Sequence, residues 1–171
     1  VTGKSPEIWS RSMGWYAMAL VDIIEMFPQN HPKRPVLLAI LNNLMKSIAK
    51  FQDKNSGVWY QIVNKGGMKG NYLEASGSTM FAYAMAKAIN RGYLPISFKK
   101  TLQLAFEGIK KEFITMDEKG LPHIHHSCSG AGLGGTPYRS GTYEYYVNEP
   151  QRSDDLKTIG PLISLFLEMG K

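Results

Sequence analysis

The feature that most constrains this chain is the segment of residues 9–15, WSRSMGW, which opens an apolar run ending at Phe27. Two indoles, a guanidinium and a glycine stand within the first turns of a predicted helix, and a plain amphipathic pattern follows. Indole rings stack on sugar faces, and a guanidinium binds a carboxylate through two parallel hydrogen bonds. The segment therefore indicates one of two things: a carbohydrate or carboxylate pocket built from Trp9, Arg11 and Trp15, or a capped core helix with aromatic packing.

Composition is typical of a single globular domain of 171 residues, with 43% hydrophobic and 20% charged residues. No apolar run reaches the roughly 18 residues of a membrane span, and the first residues carry no signal-peptide pattern. The formal net charge is +6, but the lysines are scattered along predicted helix faces without an arginine-rich tract. We therefore expect neither nucleic acid nor a membrane as a partner. The lone Cys128 cannot form an internal disulfide.

Hydrophobic periodicity predicts five helices joined by alternating long and short connections. The first ends at Phe27, the second runs from Pro35 to Phe51, the third from Glu74 to Ala88, the fourth follows Pro95, and the fifth starts at residues 153–155. Residues 58–62 are predicted as a short strand or an extended segment, and residues 114–150 as a long loop rich in glycine and aromatic residues. Helices that are alternately buried and one-sided predict an all-α fold of the α/α-toroid type, in one unit over residues 1–171.

This alternation predicts that the first, third and fifth helices start at the same end of an inner ring. Polar residues mark two of those starts, with Glu74 and Ser76 on the third helix and Asp154 and Asp155 on the fifth. Free backbone N–H groups at helix starts form a pocket suited to an anionic ligand. We expect the aromatic loop to cover this pocket with Tyr138, Tyr143, Tyr145 and Tyr146.

Residues 9–20 resemble the W-x-R-x-x-G-W signature of unsaturated glucuronyl and rhamnogalacturonyl hydrolases, which are glycoside hydrolase families 88 and 105. The resemblance is closer to family 105. Further segments resemble motifs of these families, in the same order and at similar spacing: residues 57–61, 74–83, 132–135, 141–146 and 148–150. One departure lies in the last helix, where Thr158 replaces the first glycine of the family's D-x-K-G-x-G pattern.

The resemblance implies an (α/α)6 barrel of six helical hairpins, of which this chain supplies about the C-terminal half. It also implies a reaction in which a carboxylic acid protonates C4 of a 4,5-unsaturated uronic acid and water adds at C5. The resulting hemiketal opens and releases the neighbouring sugar. The family's catalytic aspartate belongs to the other half of the barrel, so this chain alone is expected to be inactive, and a cytoplasmic location is expected.

The expected substrate is an unsaturated galacturonyl-rhamnose type of disaccharide from pectin, and no cofactor is expected. The substrate-binding residues that the resemblance suggests in this chain are Trp9, Arg11, Trp15, Ser76 and Tyr143. A half-barrel leaves the first and fifth helices without a neighbour on one side. We therefore expect the chain to associate with its missing half or with itself.

Three points stay open at the level of sequence. Glu74 is a weak candidate for an acid within this chain, although a carboxylate at a helix start also serves as a cap. His123, His125 and His126 lack the closed four-ligand set of a structural metal site, so we predict no metal. Two other functions remain: a non-catalytic sugar-binding or assembly half-barrel, and another α/α-barrel carbohydrate enzyme such as an epimerase or a lyase.

Overall fold

The computed structural model describes residues 4–171, so residues 1–3, part of the segment searched for a signal pattern, lie outside it. The five predicted helices are confirmed, and the structure adds a short helix, one 3-10 turn (Ile96–Phe98) and two small sheets. The helices are α1 (Ser10–Met26), α2 (Arg34–Lys50), α3 (Ala75–Asn90), α4 (Lys99–Phe113), α5 (Tyr143–Val147) and α6 (Leu156–Met169). The strands are β1 (Ile114–Met116), paired antiparallel with β2 (Pro122–Ile124), and β3 (Ser127–Cys128), paired antiparallel with β4 (Gln151–Arg152).

Helix α3 is the centre of the fold. It packs against α1 and α6, α4 packs on α3, and α2 packs on α1. All residues of α3 except Asn90 are buried, as the apolar residues around its whole circumference predicted. The fold is thus a layer of helices α1, α3 and α6, with α2 and α4 packed against its members.

The segment 58–62, predicted as a short strand or an extended segment, forms no regular strand and has only isolated bridges. Ile62 pairs with Trp9, and Tyr60 pairs with Leu73. Two backbone bonds flank the Tyr60–Leu73 bridge, from the Gln61 N–H to Tyr72 O at 2.8 Å and from the Glu74 N–H to Trp59 O at 2.9 Å. The Trp59 N–H instead donates to a side chain, Ser78 Oγ, 3.0 Å away. No regular ladder forms, and the segment instead connects α1, α3 and the chain before α3.

Two glycines allow α1 and α3 to approach each other closely. A Cβ added to Gly14 would lie 2.7 Å from the Met80 sulfur, and one added to Gly77 would lie 2.6 Å from Ser10 Cβ. Both distances are shorter than packed side chains allow, so any larger residue would force the helices apart. The glycine of the segment 9–15 is therefore explained by helix packing.

Helices α1 and α6 each leave apolar side chains in solvent. On α6, Leu156 is 79% exposed, Leu167 66% and Ile163 56%, and on α1 Ile23 is 48% exposed. These are the first and fifth predicted helices, for which an uncovered side was expected. Within residues 4–171, no helix is long and apolar enough to cross a membrane.

Candidate functional site

The starts of α1, α3 and α6 meet around strand β3. The Cys128 N–H donates to Glu74 Oε1 at the start of α3, over 3.0 Å. The Ser127 and Thr158 hydroxyls are hydrogen-bonded at 2.6 Å, which ties β3 to α6, and Arg11 of α1 donates to Cys128 O. The prediction that these three helices start at one end of the fold is confirmed.

Glu74 caps α3 and is completely buried. Its carboxylate accepts hydrogen bonds from the backbone N–H groups of Ser76 and Gly77, at 3.2 and 2.6 Å. It also accepts bonds from the hydroxyls of Ser10 and Ser76, at 3.2 and 2.7 Å, in addition to the Cys128 N–H. The capping role considered for Glu74 is therefore present, and its carboxylate has no surface open to a ligand in this structure.

Arg11 is the positive partner of Glu74 and is 2% exposed. Its Nε donates to Ser76 Oγ at 2.7 Å, and its Nη2 lies 3.7 Å from Glu74 Oε1. A buried guanidinium needs a counter-ion, and the chain supplies one itself. The pocket expected at the helix starts is therefore filled here by Arg11, Glu74 and Ser76, since Glu74 already provides the anion at the start of α3. Ligand contacts by Arg11 and Ser76 stay predictions.

Trp9 is held from two sides. Its indole N–H donates to Gln61 Oε1 at 3.1 Å, and its ring stacks on Tyr146 with 5.8 Å between centroids and 28° between planes. Gln61 is completely buried, and its amide also donates to Tyr146 O at 3.2 Å. Gln61 thus fixes the indole and the α5 backbone together, a function that the sequence analysis missed.

Trp15 and Tyr143 are more accessible than the buried Arg11 and Ser76. Trp15 is 46% exposed on α1, next to Tyr16 at 48%. Tyr143 is half-buried, its hydroxyl donates to Lys69 O at 3.0 Å, and the Lys65 ammonium lies 5.1 Å from its ring centroid. Trp15 therefore offers an indole to solvent, whereas Tyr143 is anchored to the loop that follows residues 58–62.

The two carboxylates at the start of α6, the fifth predicted helix, have different roles. Asp155 caps α6 by accepting from the Lys157 N–H at 2.9 Å. Asp154 has a left-handed backbone, with φ of 55°, and its carboxylate lies 2.8 Å from His123 Nδ1. The carboxylates of Asp154 and then Asp117 raise the pKa of His123. The capping expectation therefore holds for Asp155, whereas the Asp154 carboxylate is hydrogen-bonded to the His123 imidazole and the Ile124 N–H.

Each histidine of the predicted trio has its own partners. His125 bonds Ser153 Oγ at 2.7 Å and Thr115 Oγ1 at 2.8 Å, and His126 Nδ1 bonds Gln151 Oε1 at 2.9 Å. Among residues 4–171, no three His, Cys, Asp or Glu side chains come together as a metal site would need.

Burial raises the pKa of the Cys128 thiol, which makes it a poor nucleophile.

A layer of helices whose starts gather aromatic, guanidinium and carboxylate groups is an arrangement suited to carbohydrate enzymes. Residues 1–171 match the model of Glycosyl Hydrolase Family 88 over their full length, and the chain belongs to this family. The resemblance to families 88 and 105 that the motifs indicated is thereby confirmed.

Solved structures and sequence relatives support the same family membership. A family 105 glycoside hydrolase of C. acetobutylicum ATCC 824 matches with a TM-score of 0.96 and 47% identity, over 99% of this chain and 47% of that one. A protein of Agrobacterium fabrum is 36% identical over 173 residues, covering 98% of this chain and 73% of the relative. A family 88 glycosyl hydrolase from Bacteroides vulgatus, at 19% identity and a TM-score of 0.69 over 95% of this chain and 43% of its own, shares the fold. The chain thus spans about half the length of the solved enzymes it resembles.

Proposed function

We propose that this chain is part of a glycoside hydrolase that acts on pectin-derived rhamnogalacturonan disaccharides. The enzyme would hydrate the 4,5 double bond of the unsaturated uronic acid at the non-reducing end. A carboxylic acid gives its proton to C4, and water adds its hydroxyl to C5 and returns its other proton to the carboxylate. The hemiketal then opens to release the neighbouring sugar. Membership of Glycosyl Hydrolase Family 88 supports the reaction class. The 47% identity to a family 105 enzyme supports a substrate of that family's type. A cytoplasmic location is part of the proposal and rests on the motif resemblance alone.

The complete burial of Glu74 supports a division of roles between the two halves of the barrel. Its carboxylate accepts five hydrogen bonds from Ser10, Ser76, Gly77 and Cys128, and it faces Arg11. A general acid must reach the atom that it protonates within hydrogen-bonding distance, and a fully buried cap does not. We therefore assign the acid to the other half of an (α/α)6 barrel and substrate binding to this half.

Within this half, we assign sugar stacking to aromatic side chains near the helix starts. Trp15 presents an exposed indole on α1. Trp9, which directly precedes α1, stacks on Tyr146 of α5, so these two rings form a fixed aromatic pair. Tyr143 adds a third aromatic position on α5. Arg11 is buried, with its guanidinium 5.5 Å from the centroid of the Trp9 ring. It would act on the uronate carboxylate through its charge, held in place by Ser76.

The exposed apolar faces of α1 and α6 support association of this chain with its missing half or with a second copy. Side chains such as Leu156 and Leu167 would be buried by a neighbouring helix. Sedimentation of the isolated chain is expected to give species larger than a monomer. A monomer at all concentrations would contradict this part of the proposal.

Calorimetric titration with the unsaturated disaccharide tests the binding role. Trp15→Ala should raise the Kd about fivefold, since one aromatic contact contributes on the order of 1 kcal/mol. Tyr16→Ala is the matched control, because Tyr16 is equally exposed on the same helix and has no assigned role. Equal effects of both variants, or no binding by the parent chain, would contradict the assignment.

The direction of an absorbance change separates hydration from the lyase alternative. Hydration removes the ultraviolet-absorbing double bond of an unsaturated uronide, whereas a lyase creates that bond from a saturated polymer. An epimerase changes neither. The proposal therefore predicts that the longer protein lowers the absorbance of the disaccharide and leaves saturated rhamnogalacturonan unchanged.

A further inference from the structure

A second polar cavity lies beside strand β4, apart from the Arg11–Glu74 pair. Its volume is about 310 Å³, and it is lined by His125, His126, Gln151, Arg152 and Ser153. Every lining residue carries a side chain that can donate a hydrogen bond, and no carboxylate is among them. This donor-rich lining indicates a site for an anionic, hydroxyl-bearing ligand.

The hydrogen bonds of the cavity leave specific donors unused. His125 is fixed at both ring nitrogens by Ser153 and Thr115, whereas His126 uses only Nδ1, toward Gln151. The Arg152 guanidinium has no hydrogen-bond or ion-pair partner among residues 4–171. The cavity therefore presents two donors, the Arg152 guanidinium and the Gln151 amide. Because His126 Nδ1 donates to Gln151 Oε1, Nε2 of the neutral imidazole is an acceptor.

The backbone at His126 is fixed in a sparsely populated conformation. Its φ is 63°, in the left-handed region that residues with a Cβ rarely adopt. Its carbonyl accepts a hydrogen bond of 3.0 Å from the Ala75 N–H, in the first turn of α3. Such strain persists only where the surroundings hold it. The imidazole is therefore set relative to the same helix start that Glu74 caps.

Neighbouring carboxylates are already paired. Asp154 bonds His123 and the Ile124 N–H, Asp155 pairs with Lys157 at 2.9 Å, and Glu112 lies 3.3 Å from the Lys111 ammonium. Their charges are thus partly compensated, whereas that of Arg152 is not. The local balance favours an anion over a cation.

We propose that this cavity is a second saccharide site, which binds the carboxylate of a uronic acid residue through the Arg152 guanidinium and the Gln151 amide. His126 Nε2 and Ser153 would bind the ring hydroxyls. The choice of a uronate rests on the proposed function, whereas the oxyanion chemistry follows from the donors themselves. Inorganic phosphate shares that chemistry, so it serves as the competing ligand in the test.

Proton NMR of the four histidine rings tests this site in the intact chain. Saturated trigalacturonate, which has no double bond, should shift the His125 and His126 signals and leave His31 unchanged, because His31 packs on Phe27 before α2. Neutral galactotriose should shift none of them at the same concentration. Since no hydration is possible with this probe, its result is independent of the reaction proposed above.

Charge-matched variants complete the test. Arg152→Gln should raise the Kd for trigalacturonate about fivefold, the effect of about 1 kcal/mol for an exposed charged contact. Lys54→Gln, which removes the same charge from an exposed turn after α2, should change it less than twofold. His126→Asn, whose side chain tolerates the left-handed backbone, should weaken binding without unfolding the chain. Equal effects of Arg152→Gln and Lys54→Gln, shifts with galactotriose, or binding of phosphate alone would overturn the proposal.

Discussion

The two ends of the α1–α3 interface use ion pairs in opposite surroundings. At the helix starts, Arg11 and Glu74 are 2% and 0% exposed, with 3.7 Å between the nearest charged atoms. At the far end, Lys87 and Arg91 of α3 pair with Asp22 and Glu25 of α1 at 2.6–2.8 Å, and their side chains are 11–43% exposed. The pairs with the shorter distances are therefore the more solvent-exposed ones.

The contribution of these ion pairs to stability depends more on burial than on the distance between the charges. Water replaces the partner of an exposed charge at little cost, so such pairs contribute at most about 1 kcal/mol. A buried charge that loses its partner has no such replacement. Arg11 and Glu74 should therefore control folding of the helix starts, whereas the far cluster should adjust stability and its dependence on pH.

The largest effect is expected from Glu74→Gln. It removes the negative charge opposite the buried Arg11 and weakens the cap of α3, so the free energy of unfolding should fall by about 3–5 kcal/mol. Urea denaturation measures this, with Glu25→Gln as the exposed control. Equal losses in the two variants would break the comparison.

A smaller effect is expected from Gly77→Ala, which places a methyl group 2.6 Å from Ser10 Cβ. Separating the helices there should cost about 1–3 kcal/mol. Gly160→Ala is the control, because Gly160 lies within α6 with no atom near its missing Cβ. That variant should gain up to about 1 kcal/mol from helix propensity. Destabilisation by both would show that glycine replacement, and not the close approach, causes the loss.

The smallest effect concerns pH at the far cluster. Hydrogen bonds from Lys87 and then Arg91 lower the pKa of Glu25 from 4.5 to about 2. Because the pKa is lower in the folded state, the stabilisation is present above pH 4.5 and is lost as the pH falls toward 2. At neutral pH, the free energy of unfolding of the parent chain should therefore exceed that of Glu25→Gln by less than about 1 kcal/mol. Urea midpoints at several pH values measure the difference, and a difference that does not shrink as the pH falls from 4.5 toward 2 would contradict the assignment.

The parts of the fold that the sequence predicted are those set by local pattern. A 3.6-residue period placed the five long helices, and their alternation predicted the shared end. Helix α5 has only five residues inside a loop, which is too short for a periodic signal. The segment 58–62 has strand-like residues, but its backbone partners are scattered over α3 and the preceding loop, and no periodicity records that.

The site was less predictable because its partners are distant in sequence. Glu74 bonds Ser10 and Cys128, 64 and 54 residues away. Whether a carboxylate at a helix start caps, catalyses or binds depends on such contacts and on burial. Gln61 was visible only as part of a motif, because nothing local indicates that its amide joins Trp9 to Tyr146.

We propose that this chain carries substrate-binding groups and that the acid lies elsewhere. The most direct measurement follows the ultraviolet absorbance of an unsaturated rhamnogalacturonan disaccharide incubated with the 171-residue chain alone, beside an active family 105 hydrolase. The account predicts constant absorbance with the chain and a decline with the hydrolase. A decline with the chain alone would contradict it and would make Glu74 the first carboxylate to test as the acid.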